Sequence, residues 1–238
     1  MDWLHGLAIG FLALGCVCAV GLAVDVSRRP QPMAIMNVVW PVCALFGGLW
    51  VCWLYGRSRA PVGGHGSHHH HHQDGPKTGA AFALSVANDT LHCGAGCTLG
   101  DIVAEWLVFA VPAVAVAFGW GSLFGDRLFA TWVVDFIFAY AFGVVFQYFA
   151  IAPMRGLSFG PGLWAAIKAD TLSLIAWQIG MYGCMAVARF WVLPALGMSL
   201  HTDSVEFWFI MQCAMTCGYI TSYPMNWFLV RRGIKDGM

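Results

Sequence analysis

The sequence has very little charge. Of its 238 residues only 10% are Asp, Glu, Lys or Arg, whereas 59% are hydrophobic; an ordinary soluble domain is about 25% charged. A soluble fold of this size needs more charged side chains to cover its surface, so a water-soluble globular protein is excluded. The 12 basic residues are matched by 12 acidic residues, and the basic surface that nucleic-acid binding requires is therefore missing as well. Phosphate-binding loops and the Asp-Lys-Thr-Gly sequence of P-type pumps are also missing, which argues against ATP-driven transport by this chain alone.

Long apolar runs are abundant instead. A helix needs about 20 mostly apolar residues to cross a bilayer, and we expect an all-α, polytopic transmembrane helical bundle of about six spans. The third apolar run, 79–119, is too long for one crossing, so a short leading helix and a Gly-rich bend at 94–100 are predicted before the third span, which ends near 119. The other predicted spans are 3–24, 34–55, 128–152, 163–190 and 205–230.

This pattern divides the chain into three parts. Residues 1–56 form a two-span N-terminal extension, 57–78 a His-rich loop, and 79–238 a four-span core that contains a His-Cys-Gly-Ala-Gly-Cys motif. With the N-terminus inside, eight Lys and Arg residues fall in inner segments and four in outer ones. The positive-inside rule therefore predicts that both termini are cytoplasmic.

The motif lies within a series of polar side chains that recur at helical spacing. Asp89, Cys93, Cys97, Asp101 and Glu105 follow one another at intervals of four residues, which places them on one face of a helix. Thiolate and imidazole groups suit Cu(I) or Zn(II), so the motif predicts a metal site whose ligands are His92, Cys93 and Cys97. Two alternatives stay open: a Gly-rich helix contact with incidental thiols, and a reversible thiol–disulfide pair. Cys43 is interpreted as a lone cysteine that packs as a small hydrophobe.

Other ionisable and amide side chains lie inside the predicted spans. Such groups are costly in a bilayer and usually face a partner or a polar cavity. We expect Cys93, Cys97, Asp101, Asp170 and Asn226 to meet in one polar pocket in the inner half of the bundle. The alternative is that these groups are only interhelical hydrogen bonds that hold the bundle together. The residues expected to support the ligands or to carry protons are Asp101, Glu105, Asp170 and Asn226.

The hydrophilic loop contains five consecutive histidines. Such a tract is typical of loose divalent-metal binding, and it predicts an auxiliary site that collects metal. A run of histidines after Gly and Ser also resembles an inserted purification tag, but its internal position and its length of five favour a native segment. The residues of this auxiliary site are His65, His68, His69, His70, His71 and His72.

Three sequence motifs carry a family resemblance. His92-Cys93-Gly94-Ala95-Gly96-Cys97 leads to Gly100-Asp101, Ala169-Asp170-Thr171 follows, and the chain closes on Pro224-Met225-Asn226 with Leu229, Arg232 and Gly233. Over about residues 88–238 the chain resembles an uncharacterised bacterial integral-membrane family, a domain of unknown function. The resemblance implies a bacterial inner-membrane location, and copper-handling proteins as partners, because members are encountered beside such proteins. The chain departs at Trp177-Gln178-Ile179-Gly180, where many members have an acidic stretch.

Three functions follow from these observations. The leading hypothesis is a membrane protein that binds, and transports or delivers, a soft or borderline metal ion, with copper first and zinc as the alternative. The second is a membrane thiol–disulfide oxidoreductase that uses Cys93 and Cys97. The third is a non-catalytic scaffold or assembly subunit, and the balance of these hypotheses leans away from an enzyme.

Overall fold

The computed structural model describes residues 2–59 and 79–235, and this part of the chain is helical without a β-strand. A single isolated β-bridge joins Trp120 and Phe124. A π-helical turn, Ala188–Val192, follows the sixth helix. The helices are α1 Asp2–Arg28, α2 Met36–Arg59, α3 Ala80–Ala110, α4 Ala113–Ala117, α5 Arg127–Arg155, α6 Phe159–Val187, α7 Leu193–Ala195 and α8 Val205–Arg231. The predicted all-α membrane bundle is confirmed.

Five helical segments are long and apolar enough to cross a membrane: α1, α2, α3, α5 and the segment Phe159–Ala195. On α1 only 22% of the most apolar window is buried, and Val17 is 70% exposed. A helix that exposes this many apolar side chains is stable in contact with lipid but not in contact with water. The protein is therefore a multi-pass membrane protein.

The second predicted span, 34–55, does not run from one end of the bundle to the other. Gly48 has φ of 49° and ψ of −123°, so α2 is broken there. The rings of Trp40 and Tyr55 lie 5.2 Å apart, whereas an unbroken helix would separate these residues by about 22 Å. Helix α2 thus enters the bundle, turns at Gly48, and returns to the side from which it came.

The ends of the helices define two ends of the bundle. At the His5 end, His5 of α1 contacts Glu206 of α8 at 2.7 Å. At the Lys235 end, Lys235 contacts Asp89 of α3 at 3.1 Å. Helix α8 runs between these two ends although it is less apolar than the five segments above. Because α2 returns, the helices that run from end to end are α1, α3, α5, α6 and α8.

His5 and Lys235, which lie near the first and last described residues, are consequently at opposite ends of the bundle. This differs from the expectation of six spans with both termini on one side, and the reason is the break at Gly48. The predicted two-span extension is also not separate in space. The tip of α2 packs into the core, where Gln212 of α8 donates a hydrogen bond of 2.6 Å to the Leu45 carbonyl.

Helix α3 is continuous through the glycines that were expected to bend it. It contains 31 residues and ends at Ala110, with Val111 as the C-cap residue. Pro112 follows immediately, and its ring cannot continue a helix. The predicted bend at 94–100 is wrong because these glycines let another helix approach closely instead. A helix of this length is about 46 Å long, so α3 extends beyond the hydrocarbon layer of about 30 Å.

Candidate functional site

The centre of the candidate site is a contact between α3 and α6. The Cys93 thiol donates a hydrogen bond of 2.8 Å to Asp170 Oδ1, and it lies 3.0 Å from the Ser173 hydroxyl. All three side chains are fully buried. Buried polar groups are stable when they are hydrogen-bonded to each other, and this contact provides such bonds for a thiol, a carboxylate and a hydroxyl.

The network continues from Ser173 into α8. Asn226 Nδ2 donates a hydrogen bond of 2.6 Å to Ser173 Oγ, and a second of 3.1 Å to the Ser222 carbonyl. The Ser222 hydroxyl donates to the Ser173 carbonyl at 2.9 Å. Helices α6 and α8 are thus joined by small polar side chains that are all inaccessible to solvent.

The network ends at Lys235, beyond α8. Its Nζ donates a hydrogen bond of 2.8 Å to Asn226 Oδ1 and forms the ion pair with Asp89. The Lys235 side chain is only 1% exposed. Burial by itself lowers the pKa of Lys235, but the attraction of Asp89 and the other acidic groups outweighs it, so the pKa lies above its ordinary value.

A second group of carboxylates lies toward the His5 end. Asp101, Glu105 and Asp135 are all buried, and the charge of Asp135 interacts with those of the other two. Thr202 donates a hydrogen bond of 3.0 Å to Glu105 Oε2. Among the described residues neither Asp101 nor Asp135 has a hydrogen-bond partner. These carboxylates are therefore available to a proton or a cation.

Two cavities adjoin these carboxylates. A polar cavity of about 240 Å³ is lined by Glu105, Arg127, Arg189 and Thr202 among others, and it lies at the His5 end. An apolar cavity of about 280 Å³ lies between the tip of α2, α3 and α8, where Asp101 and the thioethers of Met211 and Met215 line it. Glu105 thus borders the polar cavity, and Asp101 borders the apolar one.

The sequence model of one family, described as a domain of unknown function (DUF4396), matches residues 84–235. The chain belongs to this family. The match confirms the predicted membership in an uncharacterised family, and it begins within α3 and ends at Lys235. No curated protein and no solved structure matches the chain.

The three motifs that carried the family resemblance meet in the network. The first contributes Cys93, the second Asp170 and the third Asn226. The last motif also ends α8: Gly233 has φ of 68°, and the Ile234 amide donates to the Leu229 carbonyl at 3.0 Å. This is a Schellman cap, which favours glycine at the left-handed position.

The glycines of the first motif bring α3 close to α5 and α6. A methyl group on Gly96 would lie 2.6 Å from the Gly143 backbone nitrogen, and one on Gly94 would lie 2.8 Å from the Trp177 ring. Glycine therefore allows two backbones to approach more closely than any other residue would. Gly94 and Gly96 therefore act as the Gly-rich helix contact that the sequence left open as one alternative.

Predicted residues outside the network lie nearby on α3. Cys97 is fully buried. His92 is fully buried and neither ring nitrogen is hydrogen-bonded to a described residue. Asp101 and Glu105 lie further toward the His5 end, in the carboxylate group. The histidines of the auxiliary loop, residues 65–72, lie outside the described residues.

In the described ranges, 2–59 and 79–235, no group of three or more His, Cys, Asp or Glu side chains is arranged to hold a metal ion. The predicted ligands His92, Cys93 and Cys97 share a helix but do not form a closed coordination shell. Trp177, at the departure from the family pattern, is fully buried, and its ring contacts that of Phe46 at 5.8 Å. It is an apolar wedge where other members are expected to be acidic.

The predicted site left out four members of this region. Asp135 was noted only as an ionisable residue inside a span and Cys43 only as a lone cysteine, and Ser173 and Lys235 were not considered as site residues. Cys43 donates a hydrogen bond of 3.2 Å to the Leu91 carbonyl, a position that depends on the return of α2. Ser173 follows the Ala-Asp-Thr motif by two residues, and Lys235 follows the closing Gly by two. Adjacency to these motifs was the available signal for both residues.

Proposed function

We propose that this protein moves a soft metal cation across the membrane along the buried face of α3, with Cu(I) as the cargo. One observation carries the proposal: Asp89, Cys93, Cys97, Asp101 and Glu105 occupy one face of α3, and all five are buried. From the first to the last of them α3 rises about 24 Å. This length is most of the hydrocarbon thickness of about 30 Å.

Ionisable side chains in such a position are expensive, and in membrane proteins they mark pathways for ions and protons. A bundle that needed only mechanical stability would bury apolar side chains here at lower cost. The scaffold hypothesis therefore explains the hydrogen bonds around Ser173, but it gives no reason for a row of carboxylates and thiols along an entire spanning helix.

The thiols indicate the kind of cargo. Cys43, Cys93 and Cys97 are all buried and free, and soft sulfur ligands select Cu(I) over hard cations. Because these thiols do not form a closed coordination shell, the cargo would be held briefly and passed between positions. Met211 and Met215 would offer thioethers on the route toward Asp101, and His92 would provide an imidazole beside Cys93.

The carboxylates supply the charge balance. Asp101, Glu105 and Asp135 would exchange protons with the polar cavity at the His5 end as the cation passes, and Asp170 would do so beside Cys93. Asn226 would support this network through its hydrogen bonds to Ser173 and Lys235. The histidine tract, 65–72, would collect metal ions at the membrane surface. In a bacterial inner membrane, copper-handling proteins would supply or receive the ion, and Zn(II) is the alternative cargo.

The oxidoreductase hypothesis has less support. Cys93 and Cys97 lie four residues apart on a continuous helix, where Cβ atoms are about 5–6 Å apart. A disulfide requires about 3.5–4.5 Å. The pair would have to unwind α3 in each catalytic cycle.

Transport in reconstituted vesicles tests the proposal. Vesicles that contain a Cu(I)-responsive dye are reconstituted with one of three proteins. These are the unaltered protein, the Cys93→Ser/Cys97→Ser double variant, and the matched control Cys213→Ser, whose thiol is exposed on α8. We expect dye signal with the unaltered protein and the control, and the rate of protein-free vesicles with the double variant. Equal rates for the double variant and the unaltered protein would remove the thiols from the pathway, and a Zn(II)-responsive dye in the same assay decides between the two metals.

A further inference from the structure

The segment after α8 folds back into the bundle. Helix α8 ends at Arg231, and the Gly233 amide donates to the Val230 carbonyl at 3.1 Å. Together with the left-handed Gly233 this turn reverses the chain. The Lys235 side chain is thereby directed back toward Asn226, which lies more than one helical turn before the end of α8 at Arg231.

The Lys235 ammonium lies between oxygen atoms of two helices. Asp89 Oδ2 of α3 is 3.1 Å away, and Asn226 Oδ1 of α8 is 2.8 Å away. Both partner side chains are fully buried. A charged ammonium that is removed from water is stable only with such paired and hydrogen-bonded partners.

The Asn226 oxygen is held in position by contacts other than that with Lys235. The Asn226 amide is oriented by its own Nδ2, which donates to Ser173 Oγ at 2.6 Å and to Ser222 Oγ at 3.0 Å. The carbonyl oxygen must therefore point away from Ser173, toward the place that the ammonium occupies. The bundle thus holds an oxygen acceptor ready whether or not Lys235 is present.

Lys235 reaches this place from a segment that has few other attachments. Ile234 is 46% exposed, and beyond α8 the described chain is held mainly by the cap hydrogen bonds to Val230 and Leu229. Segments with few buried contacts open locally at low cost. Withdrawal of Lys235 therefore requires the turn to open and the contacts with Asp89 and Asn226 to break, whereas the helices can stay in place.

We infer that Asp89 and Asn226 form a binding site for a monovalent cation of the ammonium class, and that Lys235 fills this site as a tethered cation. One carboxylate balances one positive charge, which matches a monovalent ion. If the transport proposal holds, on which this consequence rests, Lys235 also closes the α3 pathway at the Lys235 end.

Chemical complementation tests the site. Lys235→Ala removes the tethered ammonium, and ethylammonium supplies a free one of the same chemistry. We expect ethylammonium to raise the Tm of purified Lys235→Ala in a saturable manner by a few degrees, and to leave the unaltered protein unchanged. Tetramethylammonium, at the same ionic strength, has no N–H donor and is expected to have no effect.

The controls separate this site from general effects of amines. Lys168→Ala removes an exposed lysine of α6 and is expected to show no response, and Lys235→Ala/Asp89→Asn is expected to lose the response of the single variant. If Lys235→Ala does not fold, Lys235→Gln retains most of the side chain and serves in the same titration. A folded Lys235→Ala or Lys235→Gln whose Tm does not respond to ethylammonium overturns the inference.

Vesicle transport distinguishes this inference from the transport proposal. Faster cargo uptake by Lys235→Ala, returned to the unaltered rate by ethylammonium, supports both. If no variant carries cargo, the transport proposal and the closing role fail, while the Tm response still decides whether the cation site exists.

Discussion

The Cys93 thiol and the Asp170 carboxylate, 77 residues apart in the sequence, meet at 2.8 Å in the centre of the bundle. This contact joins the first family motif to the second. It predicts that Asp170→Asn retains most of the stability, because the amide oxygen still accepts the thiol hydrogen bond.

Asp170→Ala removes that acceptor and leaves a buried cavity, so we expect a loss of about 1–3 kcal/mol in the free energy of unfolding. Denaturant unfolding in detergent compares the two variants, with Asp203→Asn as an exposed control. An Asp170→Asn variant as unstable as Asp170→Ala would mean that the charge, and not the hydrogen bond, stabilises the contact.

The contact between Gly96 and Gly143 predicts a second effect on stability. A methyl group at Gly96 would collide with the backbone of α5, and backbone cannot move aside as a flexible side chain can. We expect Gly96→Ala to destabilise the protein by about 1–3 kcal/mol. Gly183→Ala is the matched control, because a methyl group there meets no atom within 4 Å; unchanged stability of Gly96→Ala would contradict the close approach.

The return of α2 at Gly48 predicts the topology. Reporters fused to the N-terminus and to the C-terminus are expected on opposite sides of the membrane. Tags inserted after Gln31 and after Arg59 flank α2, and both are expected on the same side as the C-terminus. Tags on opposite sides of the membrane would show that α2 crosses it.

The Lys235–Asp89 ion pair predicts a dependence on pH. The pKa of Lys235 is raised above its ordinary value of 10.5, so its contribution to stability is complete below that value and is lost as the pH rises through the folded-state pKa. The other groups that interact with the ammonium are His92 and Cys93 of α3 and Asp170 of α6.

Between about pH 6 and pH 9 we expect a constant difference in Tm between the unaltered protein and Lys235→Ala, because the ordinary lysine pKa lies above this range. At more alkaline pH the difference should shrink. A difference that disappears already near neutral pH would show that Lys235 is not held as an ammonium ion.

The spacing of Cys93 and Cys97 on α3 predicts resistance to oxidation. Treatment with a mild oxidant in detergent is expected to leave both thiols free by mass spectrometry, because the intact helix keeps their Cβ atoms too far apart for a disulfide. Exposed Cys16 and Cys213 report that the oxidant is active. Formation of the Cys93–Cys97 disulfide without loss of helicity would favour the oxidoreductase hypothesis.

Local sequence determined the class of protein and most of the polar side chains on the buried face of α3. Apolar runs indicated a helical membrane bundle because a bilayer requires long apolar helices, and intervals of four residues indicated that Asp89 to Glu105 share one face. The position of Asp170 beside Cys93 was expected only from similar depth in the membrane, and depth alone does not determine which helices are neighbours.

Tertiary structure decided three features that no local pattern contains. Helix α2 can reverse at Gly48 because Gln212 of α8 donates a hydrogen bond to the Leu45 carbonyl at its tip. Gly96 joins two helices because Gly143 lies opposite it. Lys235 is buried because Asp89 balances its charge and Asn226 accepts its hydrogen bond. Composition shows that a glycine can bend or pack and that a lysine carries charge. Which of these happens depends on the partner across the bundle, and long-range packing chooses that partner.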